Sequence, residues 1–118
     1  MDKKALIKQY KDTLQPMGVF KIENKVNGKI LIISSNNLPG RVNREKFQLD
    51  MGNHTNTELQ KDYKQYGKDS FAFEIIDQLK PKEEPGYNYS DDLAVLEAMW
   101  LDKLQPYGEK GYNEKKET

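Results

Sequence analysis

The sequence predicts an α/β fold, a small three-stranded antiparallel sheet flanked by about four helices. Three observations carry that expectation. Residues 17–35, MGVFKIENKVNGKILIISS, read as a hairpin: Gly18, Phe20 and Ile22 alternate with Val19, Lys21 and Glu23. Ile30, Leu31, Ile32 and Ile33 follow as an apolar run, with Asn27-Gly28 as the turn between the two strands. A second alternating run from Ser70 to Asp77, carrying Phe71, Phe73 and Ile75, supplies a third strand. The remaining periodic stretches have helical spacing and helix-type caps.

Leu6, Tyr10 and Leu14 recur at i, i+4, i+8 behind Asp2, a candidate N-cap, which gives a short amphipathic helix over residues 2–14 that should pack on the sheet. Lys4, Lys8 and Lys11 form its opposite, solvated stripe. Gln15-Pro16 ends this helix and leads into the first strand. The continuously apolar second strand is expected at the centre of the sheet, because covered faces on both sides remove the need for alternation.

Asn36-Asn37-Leu38-Pro39 signals a helix start and Gly52 a stop, with Leu38, Val42 and Leu49 on one side. Thr55 and Glu58 have capping-box spacing for a further helix, along which Leu59, Tyr63 and Tyr66 share a face up to Gly67. Residues 80–90, KPKEEPGYNYS, are rich in proline, charge and turn formers and read as a mobile loop. Ser90-Asp91-Asp92 then caps a helix running to about Leu104. The chain divides into a helix over 1–16, a domain over 17–113 and a tail over 114–118 that reads as disordered.

Nineteen Lys and Arg against nineteen Asp and Glu give no net charge, which argues against avid, nonspecific nucleic-acid binding. No apolar run approaches the length of a membrane span or a signal peptide, so a cytoplasmic location without membrane contact is expected. With no cysteine and a single histidine, any catalytic metal would be held mainly by carboxylate oxygen.

Several residues have chemical potential. Glu97 falls within the stripe Leu93, Glu97, Trp100, Leu101 and Leu104, which places a carboxylate on the face that should meet the sheet. Burying it requires a partner, and both a salt bridge to Arg41 or another cation and a metal ion answer that need. Arg41 and Arg44 lie three apart on one helix face, where a guanidinium can grip a phosphate or pair with Glu45 or Asp50. His54 sits in the turn-like Gly52-Asn53-His54-Thr55-Asn56, either as exposed polar surface or as a functional group.

The triplets Gly18-Val19-Phe20 and Leu31-Ile32-Ile33, joined through Asn27-Gly28-Lys29, resemble the opening of the GIY-YIG nuclease domain. The resemblance continues through Ser34-Ser35, Asn37-Leu38, Arg41, Gly52, His54, Leu59-Gln60, Tyr66-Gly67, Phe73-Glu74-Ile75, Leu96-Glu97, Trp100 and Gly111-Tyr112-Asn113, covering roughly residues 17–113. It implies that Glu97 is the ligand of one divalent metal, Mg or Mn. It also implies that Arg41 neutralises the scissile phosphate and that His54 serves as a phosphate contact or proton relay, and it sets Asn113, by position, as a binding residue, whereas Arg44 is a candidate binding residue through its helical spacing from Arg41.

The departures are as informative. Phe20 and Leu31 replace the two strand tyrosines and Ile33 the second glycine, so no phenol is left on the strands to act as a base. Glu45 and Gly40 stand where the family often has His and Lys. The resemblance therefore implies a degenerate nuclease-like domain, silent or weak, working as a DNA-associated or protein-binding regulatory module. The alternative is an active metal-dependent endonuclease using Arg41, Glu97 and His54.

Overall fold

The computed structural model describes residues 2–115. The expected disorder of the tail falls mostly on residues 116–118, which lie outside the described residues. The described residues form α1 (Lys3–Thr13), β1 (Met17–Asn24), β2 (Ile30–Ser35), α2 (Leu38–Met51), α3 (Thr57–Tyr66), β3 (Phe71–Leu79) and α4 (Ser90–Leu104), with short 3₁₀ turns at Lys68–Ser70 and Gly108–Lys110. The predicted class holds: one antiparallel sheet of three strands with four α-helices around it.

The strand order is β2-β1-β3, so the first strand, not the second, is central. The unbroken apolar run of β2 has another cause: β2 is an edge strand covered on both faces. Leu31 and Ile33 pair with Ile22 and Phe20 and join the core formed with Leu38 and Leu49 of α2 and Leu59 of α3. Ile32, on the other face, is buried on the side where α4 packs. Full burial of each such leucine or isoleucine contributes about 1.5–3 kcal/mol of stability.

The free edge of β2 is closed by the C-terminal segment. Gly111 bridges Ile30 in parallel, Tyr112 N–H donates to Ile30 C=O at 2.9 Å, and the Asn113 carboxamide continues the ladder against Ile32. It accepts from Ile32 N–H at 2.8 Å and donates to Ile32 C=O at 3.1 Å. Such a cover removes the unpaired edge that would otherwise template aggregation.

The alternating run of β3 also turns out differently, because it changes face at a bulge. Phe20 pairs with Ile75 but Val19 with Asp77, leaving Ile76 without a partner. Phe71 and Phe73 therefore pack toward α2 and α3, whereas Asp77 and Leu79 face α4, where Trp100 Nε1–H donates to Asp77 at 2.9 Å. Gly18 permits the bulge: a Cβ there would stand 2.0 Å from the Asp77 carbonyl oxygen.

Two local expectations are corrected. α1 begins at its predicted cap, with Asp2 accepting from Lys4 N–H, but it has no buried residue and does not pack on the sheet. Leu6 is exposed, and the helix meets the body of the protein through Tyr10 and Lys11, with Leu14 just after it. In α3 the N-cap is Asn56, which accepts from Leu59 N–H at 3.0 Å, while Glu58 pairs with Lys29 in the hairpin loop. The 80–89 segment is irregular as expected, yet pinned: the buried Tyr89 hydroxyl accepts from Lys82 N–H, and Glu83 pairs with Lys11.

Candidate functional site

One open cavity of about 400 Å³ forms where α2, the turn before α3, the edge of β2 and the middle of α4 converge. Arg41, Glu45, His54, Asn56 and Glu97 border it, over a floor made by Leu31, Ile32, Ile33 and Ser34. Each polar group arrives for a local reason. Asn37 caps α2 by accepting from Gly40 N–H at 3.1 Å, and Pro39 sits in the first turn, where its missing N–H costs nothing. This starts α2 immediately after β2 and puts Arg41 in its first turn beside the strand.

Glu45, expected in the sequence as a surface partner of Arg41 or Arg44, does pair with Arg41, but as a buried part of the site. It follows Leu38 by seven and precedes Leu49 by four, and so lies on the buried stripe of α2, only 3% exposed. Its spacing is a usable signal, the same one that singles out Glu97. The carboxylate is held from two sides: Arg41 Nε–H donates to Oε1 at 2.8 Å, and His54 Nε2 hydrogen-bonds Oε2. Burial pushes the carboxyl pKa up, but the hydrogen bonds from His54 and Arg41 outweigh it and hold Glu45 below the usual glutamate range.

His54 is buried rather than loop surface. Its Nδ1 accepts from Asn56 N–H at 3.0 Å, which requires a lone pair there and assigns the proton to Nε2, facing Glu45. Both ring nitrogens are thus engaged. His54 N–H in turn donates to the side-chain oxygen of Gln60, whose amide donates to Leu49 C=O, so the turn is tied to both flanking helices.

Glu97 is half-buried, not enclosed, and makes no salt bridge to Arg41 or any other cation among the described residues. The expected fully buried stripe of α4 is realised only at Leu93: Glu97, Trp100, Leu101 and Leu104 are half-buried, and the middle turn borders the cavity. Arg41, about a third exposed, has no protein partner at either Nη group among the described residues. The cavity therefore brings together a guanidinium with a free end and a free carboxylate. With the arginine at +1, two carboxylates and a neutral histidine, the fixed charge of this group is −1.

Arg44 and Asn113 are not at this cavity. Arg44 lies roughly sixty degrees further round α2 from the buried stripe than Arg41 and is exposed. Asn113 hydrogen-bonds the Ile32 backbone through both carboxamide atoms and so closes the strand edge. Phe20 is wholly buried in the core and contributes nothing to the cavity, whereas Leu31 and Ile33 form its apolar floor. No tyrosine borders it.

No group of three or more His, Asp or Glu side chains among the described residues could hold a metal. A hard divalent ion such as Mg²⁺ commonly keeps several waters and takes only one or two carboxylates plus substrate phosphate oxygens. The single unpaired carboxylate of Glu97 fits that mode and no all-protein cage.

No protein-family model matches the sequence, and no curated protein matches it. Among solved structures, the chain is similar to the catalytic domain of homing endonuclease I-TevI, with a TM-score of 0.70 and 22% identity over 85% of this chain and 99% of that one. It is likewise similar to the catalytic domain of intron endonuclease I-TevI in an alanine-substituted mutant form, with a TM-score of 0.67 and 22% identity over 84% and 93% of the two chains. The fold is GIY-YIG-like. At this identity the likeness carries the fold alone.

Proposed function

We propose that this chain is a degenerate nuclease-like domain that engages the DNA phosphodiester backbone weakly at the Arg41–Glu97 cavity and does not hydrolyse it at an enzymatic rate. One observation carries the reading: a guanidinium and a carboxylate with free ends border one cavity in which every other titratable group is already engaged. The free Nη end of Arg41 suits a phosphate, since two parallel N–H donors match two phosphate oxygens. The Glu97 carboxylate suits a magnesium or manganese ion, which when bound would supply charge for a developing oxyanion.

Hydrolysis needs a further group, one that takes the proton of the attacking water. His54 offers none while Asn56 N–H occupies Nδ1 and Glu45 occupies Nε2. Glu45 is itself held below the usual range and bonded on both oxygens, so it is a poor base. Leu31 and Ile33 carry no side-chain group that can take a proton. General-base assistance is worth about 10² to 10⁴ in rate, so its loss lowers hydrolysis by a factor of that order.

The test is plasmid nicking by purified protein with magnesium or manganese, with Glu97→Ala as the contamination control. No nicking above that control is expected. Metal-dependent nicking that disappears in Glu97→Ala would overturn the reading in favour of an active endonuclease.

A further inference from the structure

We propose that Glu45 is the positioning residue of this cavity: it fixes the Arg41 guanidinium through Nε, leaves both Nη groups free, and cancels the arginine's charge. Anion binding then depends on directed hydrogen bonds and not on a net positive field. The inference rests on the reading of the cavity as a phosphodiester site, and it adds a role that neither the sequence pattern nor the fold likeness assigns.

Counting donors shows why a carboxylate is needed here. Arg41 Nε–H and His54 Nε2–H converge on one buried point from different elements, one on α2 and one on the turn before α3. A carboxylate supplies two acceptor oxygens and no donor, so it satisfies both. Glutamine has one acceptor and would leave one donor facing an N–H group inside the protein, where unpaired polar groups are most expensive. His54 cannot escape by changing tautomer, because Asn56 N–H at 3.0 Å already claims the Nδ1 lone pair.

Holding Arg41 by Nε has a geometric consequence. The guanidinium is planar and rigid, so fixing its Nε edge fixes the direction of its two Nη groups as well. A side chain otherwise free to swing is thereby held at the cavity mouth. The electrostatic consequence runs the other way, since Glu45 offsets the cation and Glu97 leaves the group at −1.

Arg41 and Arg44 are the only arginines in the chain, and Arg44 is exposed with no bonded partner among the described residues, so it serves as an internal control. The first measurement is hydrogen exchange of the two arginine Nε–H groups in the wild-type protein by ¹H–¹⁵N NMR. Arg41 is expected to exchange at least tenfold more slowly than Arg44. Equal exchange would overturn the positioning role, and this result needs no variant to fold.

The second measurement is binding of a short DNA duplex by wild type and by Glu45→Gln, checked as folded by circular dichroism, over a salt series. Glu45→Gln should bind about tenfold more tightly at low salt and steepen the log–log salt slope by about 0.9, the value for one further neutralised phosphate. The gain should vanish in the double variant Glu45→Gln, Arg41→Gln. A folded Glu45→Gln with unchanged affinity and slope would overturn charge cancellation. Absence of duplex binding in every folded variant, with Arg41 Nε–H still protected in the wild type, would instead sink the DNA reading while supporting the positioning role.

Discussion

At the scale of single residues, the candidate site is decided by which polar groups are already engaged. Glu45 and Glu97 are both glutamates placed within apolar helical stripes, yet one is bonded on both oxygens and the other makes no salt bridge among the described residues. The difference has a thermodynamic signature. Because the folded state holds the Glu45 carboxyl below its ordinary value, ionised Glu45 stabilises the fold above the unfolded pKa of about 4.3. That contribution is lost as the pH falls through the lower, folded value. Urea unfolding as a function of pH should therefore show a stability loss on the acid side of pH ~4 that is smaller in Glu45→Gln than in the wild type. Identical acid limbs would show that Glu45 titrates the same way folded and unfolded. Tyr63 illustrates the opposite sign: burial and its hydrogen bond to Asp50 push its hydroxyl up to about 12, so its contribution is present at neutral pH and fades as the pH rises through that value.

At the scale of elements, most of the fold is legible in the sequence because the signals are local. The caps at Asp2, Asn37 and Gly52, the hairpin and the third strand all follow from side chains acting on their own backbone. What could not be read are arrangements made by distant segments. Asn27-Gly28 belongs to a longer connection over residues 25–29, pinned where Lys25 N–H donates to Ser70 C=O and where the buried Asn24 amide meets the Tyr112 hydroxyl. The covered edge of β2 likewise depends on a segment some eighty residues downstream, which no periodicity in β2 can announce. Asn113, matched to the family only by position, completes a strand ladder in the fold, a role its own neighbourhood in the sequence does not announce. This edge closure is testable at Gly111, whose backbone is extended and any residue's to adopt. Space, not conformation, demands glycine there, since a Cβ would stand 2.3 Å from Pro106 C=O and 2.6 Å from Ile30 C=O. Gly111→Ala should lower stability by about 1–3 kcal/mol in urea unfolding and speed amide exchange at Ile30 and Ile32. Unchanged exchange at those two amides would mean that the segment contributes little to the edge.

At the scale of the whole molecule, net charge limits what the cavity can do. The chain carries equal numbers of basic and acidic side chains, and its lysines are partly neutralised in place: Lys11 by Glu83, Lys21 by Glu23 and Glu74, Lys29 by Glu58. Exposed pairs of this kind add little stability, but they do remove cations from any surface offered to DNA. The cavity follows the same pattern, with Arg41 offset by Glu45 and the group at −1 through Glu97. Phosphate contacts supply most nonspecific affinity through counterion release, roughly one unit of log–log salt slope for each phosphate neutralised. A protein with no net charge, whose cavity offers one free guanidinium end offset by two carboxylates, should therefore bind at micromolar concentration or more weakly at physiological salt, with a slope of about 2 or less. Fluorescence anisotropy titrations of a labelled duplex at several salt concentrations measure both quantities. Nanomolar binding that persists at high salt would show that contacts other than phosphate neutralisation dominate, and would move the DNA-contacting surface away from this cavity.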